Sequence, residues 1–287
     1  MHDFDYLEPT TLPEVCQLMA QWGDEARVMA GGTALMLALR QRLVSPSRLV
    51  SVARVLELRG IHVGADQGVS IGAFTTHSEV AQSSHIQQHY PMLSSMASQV
   101  ANWQVRNQGT IGGNLCYADP ATDPPGCLLA LGAEVVLQGP VQQRVLPMSA
   151  FLVDYYETAL QADEVLVAIR LPAPQAHTRG SYLRHLKTSA DHRPLVNVSI
   201  TSSQNRHAID QVCLVVGAST PFPVSLPSAQ VLVGQDPSLS LFESVAQAAA
   251  QEIDALSDAR ASADYRREVV RVLVARALSD HFNLSRI

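Results

Sequence analysis

Residues 104–123, QVRNQGTIGGNLCYADPATD, set a glycine pair after Thr110 and Ile111, follow it with Asn114, and place Asp119 and Asp123 four residues apart. Residues of these types at this spacing could serve as a nucleophile loop, a general acid/base carboxylate pair, a metal site or an anion cradle. A hydrolase would need a positioned nucleophile or a metal beside its carboxylates, and the sequence offers neither. His85 and His89, in HIQQH, have the i, i+4 spacing of a zinc pair. The glutamate of an H-E-x-x-H site is missing, so they are read as solvated surface histidines. His77, His185 and His192 are read as structural rather than redox groups. No catalytic residue and no metal ligand is therefore assigned.

The anion cradle has more support, because a second stretch has the same character. Ala30-Gly31-Gly32-Thr33, followed by Ala34 and Leu35, lies between an expected strand and an expected helix. Glycine lets the main chain approach a ligand closely and adopt positive φ. Consecutive N–H groups in such a turn form an anion-binding concavity, and a following helix N-terminus adds a favourable dipole. Thr33, Thr110 and Asn114 supply side-chain donors. Nanomolar binding needs about 12 kcal/mol, and each hydrogen bond to a charged group contributes roughly 1.5–3 kcal/mol. One turn with two or three donors falls short, whereas two turns on one diphosphate, with an aromatic ring system buried elsewhere, would reach it. Neither a G-x-x-x-x-G-K-[ST] loop nor a strand-linked G-x-G-x-x-G occurs, so a P-loop and a Rossmann site are not supported.

The elements around these turns can be read from period and capping signals. FDYLEP is a strand. TTLPEVCQLMAQWG is a helix with a Thr11/Glu14 capping box, Pro13 in its first turn, an apolar face of Val15, Leu18, Met19 and Trp22, and Gly23 as terminator. ARVMAGG and SRLVSV are strands flanking the helical TALMLALRQRLV. GVSIGAFTT is a strand, followed by a short helix capped by Thr76 and Glu79, then a helix in YPMLSSMASQVAN. PPGCLLALGAEVVLQG reads as a helical turn, a break at Gly132 and a strand. MSAFLVDYYE is expected to be helical and EVLVAIRLP extended, with a linker at LPAPQ. SYLRHLK, LVNVSITSSQ and DQVCLVVGAST predict a three-stranded antiparallel sheet with a turn at NRHAID. Two helices close the chain, the second with a stripe of Val269, Val270, Leu273, Val274, Ala277 and Leu278. These shifts divide the chain into lobes at 1–57 and 58–174 and a C-terminal domain at 175–287. Asp119 is a candidate cap for the turn that follows it.

Bulk properties narrow the function further. With 287 residues, 47% of them hydrophobic, the chain can bury a large core. No apolar run reaches the roughly 20 residues of a membrane span, and MHDFDYLEP has no signal-peptide character, so a cytoplasmic location is expected. The net charge is −6 and the 20 basic residues are scattered, which gives no attraction to nucleic acid. Cys16, Cys116, Cys127 and Cys213 show neither C-x-x-C nor iron–sulfur spacing and are read as reduced thiols.

VMAGGTAL followed by LRQRLVSPSRLVSV, and then QVRNQGTIGGNLCYADPATDPPGCLLALGAEVVL, resembles the FAD-binding medium subunit of molybdenum hydroxylases over essentially the whole chain. That family includes carbon monoxide dehydrogenase and xanthine dehydrogenase flavoprotein subunits. The resemblance implies an α+β fold, with a two-lobed FAD-binding domain of the vanillyl-alcohol-oxidase/PCMH type followed by an antiparallel sheet with helices. It implies that Val28, Met29, Ala30, Gly31, Gly32, Thr33, Ala34 and Leu35 wrap the FAD diphosphate from one side. Thr110, Ile111, Gly112, Gly113 and Asn114 would wrap it from the other. Val100, Asp123 and Leu166 match further contacts, as does Arg184 or, in its place, Lys187. Asp123 would accept hydrogen bonds from the nucleotide portion. The family often has Ala-Asn where Cys116-Tyr117 stand here.

Function follows from the same resemblance. Substrate would be oxidised at a molybdenum cofactor on a large subunit, and electrons would pass through [2Fe–2S] clusters on a small subunit to FAD here. They would leave for an external acceptor, in a dimer of heterotrimers. The alternative is a self-sufficient flavin-dependent oxidase with its own substrate pocket.

Overall fold

The first helix, Leu12–Trp22, shows how local sequence sets the frame. Thr11 caps it by accepting from the Glu14 N–H at 3.4 Å, Pro13 lies in its first turn, and Gly23 ends it at φ +47°. The Glu14 carboxylate accepts from Thr10 N–H at 2.9 Å rather than from Thr11, so the expected reciprocal box is half formed. Val15, Cys16 and Met19 are buried, and Leu18 and Trp22 lie at the margin of the same core.

The computed structural model describes residues 3–188, 192–205 and 208–284. They form two compact units, each built from three chain segments. Met1–Ser83, Asn102–Asp119 and Gly132–Ala173 make the first; Ser84–Ala101, Pro120–Leu131 and Pro174–Ile287 make the second.

Among the described residues the first unit holds two larger sheets and a two-stranded hairpin. Asp5–Leu7, Arg48–Ser51 and Ala26–Met29 form a parallel sheet with Arg48–Ser51 in the centre. A five-stranded antiparallel sheet runs Ile61–Val63, Val69–Gly72, Val165–Leu171, Glu134–Gln138, Gln143–Pro147. One core joins them, with Val15, Ala26 and Val50 packed in the same cluster as Val136, Val165 and Val167. Burial of this apolar surface is the main stabilising contribution to the unit.

Two readings of this unit are corrected. Residues 148–157 are not a helix: Met148–Ala150 is a single 3₁₀ turn, followed by a small hairpin of Leu152–Asp154 and Glu157–Thr158. The second glycine stretch is not an open turn of the expected kind. Residues 111–114 form the first turn of a helix, Ile111–Tyr117, preceded by another short helix, Trp103–Gln108. Thr110 caps the later helix, its Oγ1 accepting from Gly113 N–H at 3.1 Å.

The second unit is a four-stranded antiparallel sheet ordered Thr178–Leu186, Pro194–Asn205, Ala208–Gly217, Val224–Ser225. The fourth strand adds two residues to the three strands expected. The turn expected over 205–210 is tighter, since Asn205 already pairs with Ala208; Arg206 and His207 lie outside the described residues. The central strand alternates strictly, as VNVSIT suggests. Val196, Val198 and Ile200 enter a core with Phe242, Val245, Ala249, Val270, Val274 and Leu278 from the helices Leu239–Glu252 and Ala263–His281. The intervening residues meet a third helix, Pro124–Ala130: Asn197 Nδ2 donates to Thr122 O at 2.9 Å and Thr201 Oγ1 to Ala130 O at 2.9 Å. A strand buried on both faces thus has one apolar and one polar side.

Asp123, not Asp119, occupies the cap position of Pro124–Ala130, because Pro124 and Pro125 supply the first turn. Ser84–His89 is helical and brings the rings of His85 and His89 to 4.5 Å. His89 is exposed, but His85 is half-buried with a buried Nε2, so it is not the solvated residue expected. Among the described residues no cluster of metal-ligating side chains occurs, and no helix is long and apolar enough to cross a membrane.

Candidate functional site

The two glycine stretches, 77 or more residues apart in sequence, meet main chain to main chain in the first unit. A Cβ on Gly31 would fall 1.9 Å from the carbonyl oxygen of Gln108 and 3.0 Å from the Cα of Gly109. No side chain fits in that space, so Gly31 is required for the approach itself. A Cβ on Gly113 would lie 3.7 Å from that of Ala30, and one on Gly109 would lie 3.2 Å from Thr33 Oγ1. Gly32 adopts φ +69°, between the side chains of Met29 and Met36.

A third strip of chain holds the second stretch in place. Residues 73–77 run alongside 109–112, with His77 N donating to Gly109 O (3.1 Å), Ile111 N to Thr75 O (2.9 Å) and Gly112 N to Ala73 O (3.0 Å). Gly112 is glycine because a Cβ there would lie 2.5 Å from that of Ala73. Thr76 and Glu79 close a reciprocal capping box that fixes the start of His77–Gln82.

The two turns differ in what they can offer an anion. In the second, every N–H from Ile111 to Asn114 is already engaged: Ile111 and Gly112 as above, Gly113 with Thr110 Oγ1, and Asn114 with Thr110 O at 3.0 Å. In the first, among the described residues, the N–H groups of Gly31, Gly32, Thr33 and Ala34 donate to no acceptor in the chain. The strand before them, Ala26–Met29, is a sheet edge, and the helix after them, Leu35–Arg40, has no side-chain cap. The row of open donors expected of both turns therefore exists in one. Val28 and Met29 end the edge strand, Ala30 faces Gly113, and Leu35 opens the helix; all are half-buried.

His77 lies beside this junction, 2% exposed, with Cδ2 3.5 Å from the position of a Cβ on Gly109. Its Nδ1 is buried without a partner. Burial, assisted by the nearby Arg106 charge, lowers its pKa to about 4, so the ring is neutral at pH 7.

The other residues named from sequence are distributed over both units. Leu166 is buried in the first unit, opposite Leu137 at a bulge in the five-stranded sheet. Val100, Asp123, Arg184 and Lys187 belong to the second. Asp123 is 2% exposed; its Oδ2 accepts from Arg184 Nη1 at 3.0 Å, and its Oδ1 accepts a short hydrogen bond from Tyr182. Burial raises the Asp123 pKa, opposed by the Arg184 charge and by the two hydrogen bonds. Arg184 and Tyr182 share one face of their strand, opposite Asn197 and Ser199, and so form the polar side that receives Pro124–Ala130. Lys187 is exposed just past the strand end, and Val100 is buried after the helix Pro91–Gln99. Sequence reasoning missed Tyr182 and the Gln108–Gly109 peptide. The first was signalled by its i, i+2 relation to Arg184, the second by the extra glycine in QGTIGG.

Known proteins share this architecture. Residues 2–174 match the family described as the FAD binding domain in molybdopterin dehydrogenase, and residues 181–281 the CO dehydrogenase flavoprotein C-terminal domain. The carbon monoxide dehydrogenase medium chain of Hydrogenophaga pseudoflava is 30% identical, with 96% of each chain covered. The 6-hydroxypseudooxynicotine dehydrogenase complex subunit alpha of Paenarthrobacter nicotinovorans is 31% identical over 99% of this chain and 96% of its own. Among solved structures, a chain of the Hydrogenophaga pseudoflava carbon monoxide dehydrogenase lacking the Mo-pyranopterin moiety superposes with a TM-score of 0.94 at 30% identity. Coverage is 98% of both chains. A chain of quinoline 2-oxidoreductase from Pseudomonas putida 86 gives 0.92 at 29% identity, also with 98% of both covered.

Proposed function

The chain belongs to the family of FAD-binding domains in molybdopterin dehydrogenases, as the FAD-binding medium subunit of a heteromeric molybdenum hydroxylase, and we propose that its two glycine turns hold the cofactor's diphosphate. The observation that carries this reading is the row of four open N–H groups at residues 31–34, against which the Gln108–Gly109 main chain is packed. The residues fit a diphosphate: consecutive donors around a positive-φ glycine form an anion nest, and the helix start behind them adds to the potential. Four donors at about 1.5–3 kcal/mol each against a charged acceptor correspond to binding between roughly tens of micromolar and nanomolar.

The second turn has a different part in this proposal. Its N–H groups hold the helix Ile111–Tyr117 together, while the exposed, side-chain-free surface of Gly113 is the part offered to the ligand. In the first unit the proposed contacts are Val28 to Leu35, Thr110 to Asn114 and Leu166; in the second, Val100, Asp123 and Arg184 or Lys187 are proposed. The lobe division at residues 57 and 174 belongs to the same reading.

When bound, FAD supplies two-electron and one-electron transfer. The protein supplies donors that orient the nucleotide and a core that shields it, and needs no nucleophile or general base. We further propose that electrons arrive from [2Fe–2S] clusters on a small subunit, after oxidation of substrate at a molybdenum cofactor on a large one, and leave for an external acceptor. A dimer of heterotrimers in the cytoplasm is the expected assembly.

The test is purification of the chain from its host with its associated proteins. A flavin absorbance band on this chain, with molybdenum, iron and two further subunits co-eluting in a native mass near twice one heterotrimer, is the expected result. A colourless chain, or substrate turnover by the chain alone, would overturn the reading.

A further inference from the structure

The first unit carries a group of side chains that the diphosphate turns leave unused. The helix Ile111–Tyr117 ends on Tyr117, and Ala118 after it turns left-handed at φ +51°. The hairpin Leu152–Asp154/Glu157–Thr158 turns on Tyr155 and Tyr156, and Tyr156 is left-handed as well, at φ +56°. Tyr156 N donates to Ala118 O at 3.0 Å, so the two corners are joined through their main chains. The rings of Tyr117 and Tyr156 meet edge to face, with centroids 5.4 Å apart at 79°. Tyr155 and Tyr156 are about half exposed, and Cys116, which precedes Tyr117 in the chain, is also exposed.

Folding alone does not account for a tyrosine at position 156. A bulky side chain at positive φ is unfavourable, and glycine at position 156 would remove the strain. Tyr156, about half exposed at the hairpin tip, gains little from burial, and its ring pairs with that of Tyr117 in an aromatic surface of the kind that ligands use.

Position indicates the ligand. Tyr117 follows Gly113 by four residues on one helix, which places it about 6 Å further along the axis. An aromatic edge one helical turn beyond a diphosphate turn suits a molecule whose planar ring is tied to its diphosphate by a short flexible chain. Such a molecule is a flavin nucleotide. We propose that Tyr117 and Tyr156 form the wall against which the flavin ring of FAD is seated, an inference that rests on the FAD reading given above. The phenols position the ring and limit water at its edge; they exchange no proton with it.

The test uses the full chain, with and without its partners, loaded with FAD. Emission, visible absorption maximum and Kd of the bound flavin are compared for Tyr117→Leu, Tyr156→Gly and Tyr156→Phe. Tyr156→Gly suits the left-handed backbone, so it removes the ring without disturbing the hairpin. An electron-rich phenol against a flavin quenches its emission. The expected result is therefore dim bound FAD in the unaltered chain, brighter emission in Tyr117→Leu and Tyr156→Gly, and a Kd raised roughly 2- to 10-fold in both. Tyr156→Phe should keep the unaltered Kd and absorption maximum. Unchanged emission, absorption and Kd in both ring-removing variants would overturn the wall while leaving FAD in its turns. Loss of partner subunits from the complex with the flavin unaffected would make the tyrosines a subunit face and likewise overturn it. Failure of the unaltered chain to bind FAD at all would instead remove the reading beneath.

Discussion

Asp123 and Arg184, 61 residues apart, meet as an ion pair at 3.0 Å inside the second unit, with Tyr182 on the other carboxylate oxygen. The pair ties the start of the helix Pro124–Ala130 to the edge strand Thr178–Leu186. Breaking a buried pair by removing one partner costs about 3–5 kcal/mol, since the other charge stays desolvated. Arg184→Met is expected to lose that much in urea unfolding. Asp123→Asn combined with Arg184→Met should lose less than the single Arg184 change. Equal losses would show that the carboxylate is not the group stranded.

Glycine substitutions separate close approach from capping. Gly31→Ala forces a Cβ to 1.9 Å from the Gln108 carbonyl, so the turns must part. Overpacking of this kind costs about 1–3 kcal/mol or more, and retained FAD should fall at least tenfold. Gly113→Ala meets Thr110 Oγ1 at 2.8 Å and perturbs one cap. Its expected cost is about 1 kcal/mol. A smaller loss of flavin for Gly31→Ala than for Gly113→Ala would contradict the main-chain packing described.

Acidification should weaken the fold through two histidines. His281 is 4% exposed, with Nδ1 2.7 Å from Ser181 Oγ and Nε2 2.7 Å from Ser202 Oγ; burial and the Arg179 charge lower its pKa to about 4. His77 is lowered to about 4 as well. A histidine whose folded pKa is depressed gives its full stabilisation above the unfolded value, near 6.5. That contribution is lost as pH falls through about 4. Each contributes on the order of 3 kcal/mol across this window. His281→Gln should flatten the dependence of the melting temperature on pH between 6.5 and 4, and an unchanged slope would exclude His281 as a source.

The flavin potential should distinguish the two cations named at the end of the sheet. Arg184 is neutralised by Asp123, whereas Lys187 is exposed beyond the strand. A neighbouring positive charge favours an anionic reduced flavin. Lys187→Met is therefore expected to lower the potential measured by dye equilibration, and Arg184→Met to lower it less. No change in either would remove both from the role.

Much of this was legible in sequence because it depends on local signals. The capping pair at Thr76 and Glu79, the breaks at Gly23 and Gly132, and both glycine stretches stood out at their positions. Residues 110–114 were misread because Gly112, Gly113 and Asn114 are weak helix formers; main-chain bonds to residues 73–75 override that preference. MSAFLVDYYE carries enough apolar residues to look helical, yet its β-branched and aromatic members suit the hairpin. The strand Val224–Ser225 is too short for any pattern to reveal. The Asp123–Arg184 pair is set by tertiary register, which spacing alone does not encode.

Recognition by unadorned peptide groups has an evolutionary corollary. At residues 31–34 the main-chain donors are identical whatever the side chains, so Ala34 can drift while Gly31 and the positive-φ Gly32 cannot. Attempts to alter nucleotide preference by rewriting that turn should yield little. On the proposed reading, change would come from the opposite turn, where Thr110 and Asn114 carry side chains that mutation can exchange.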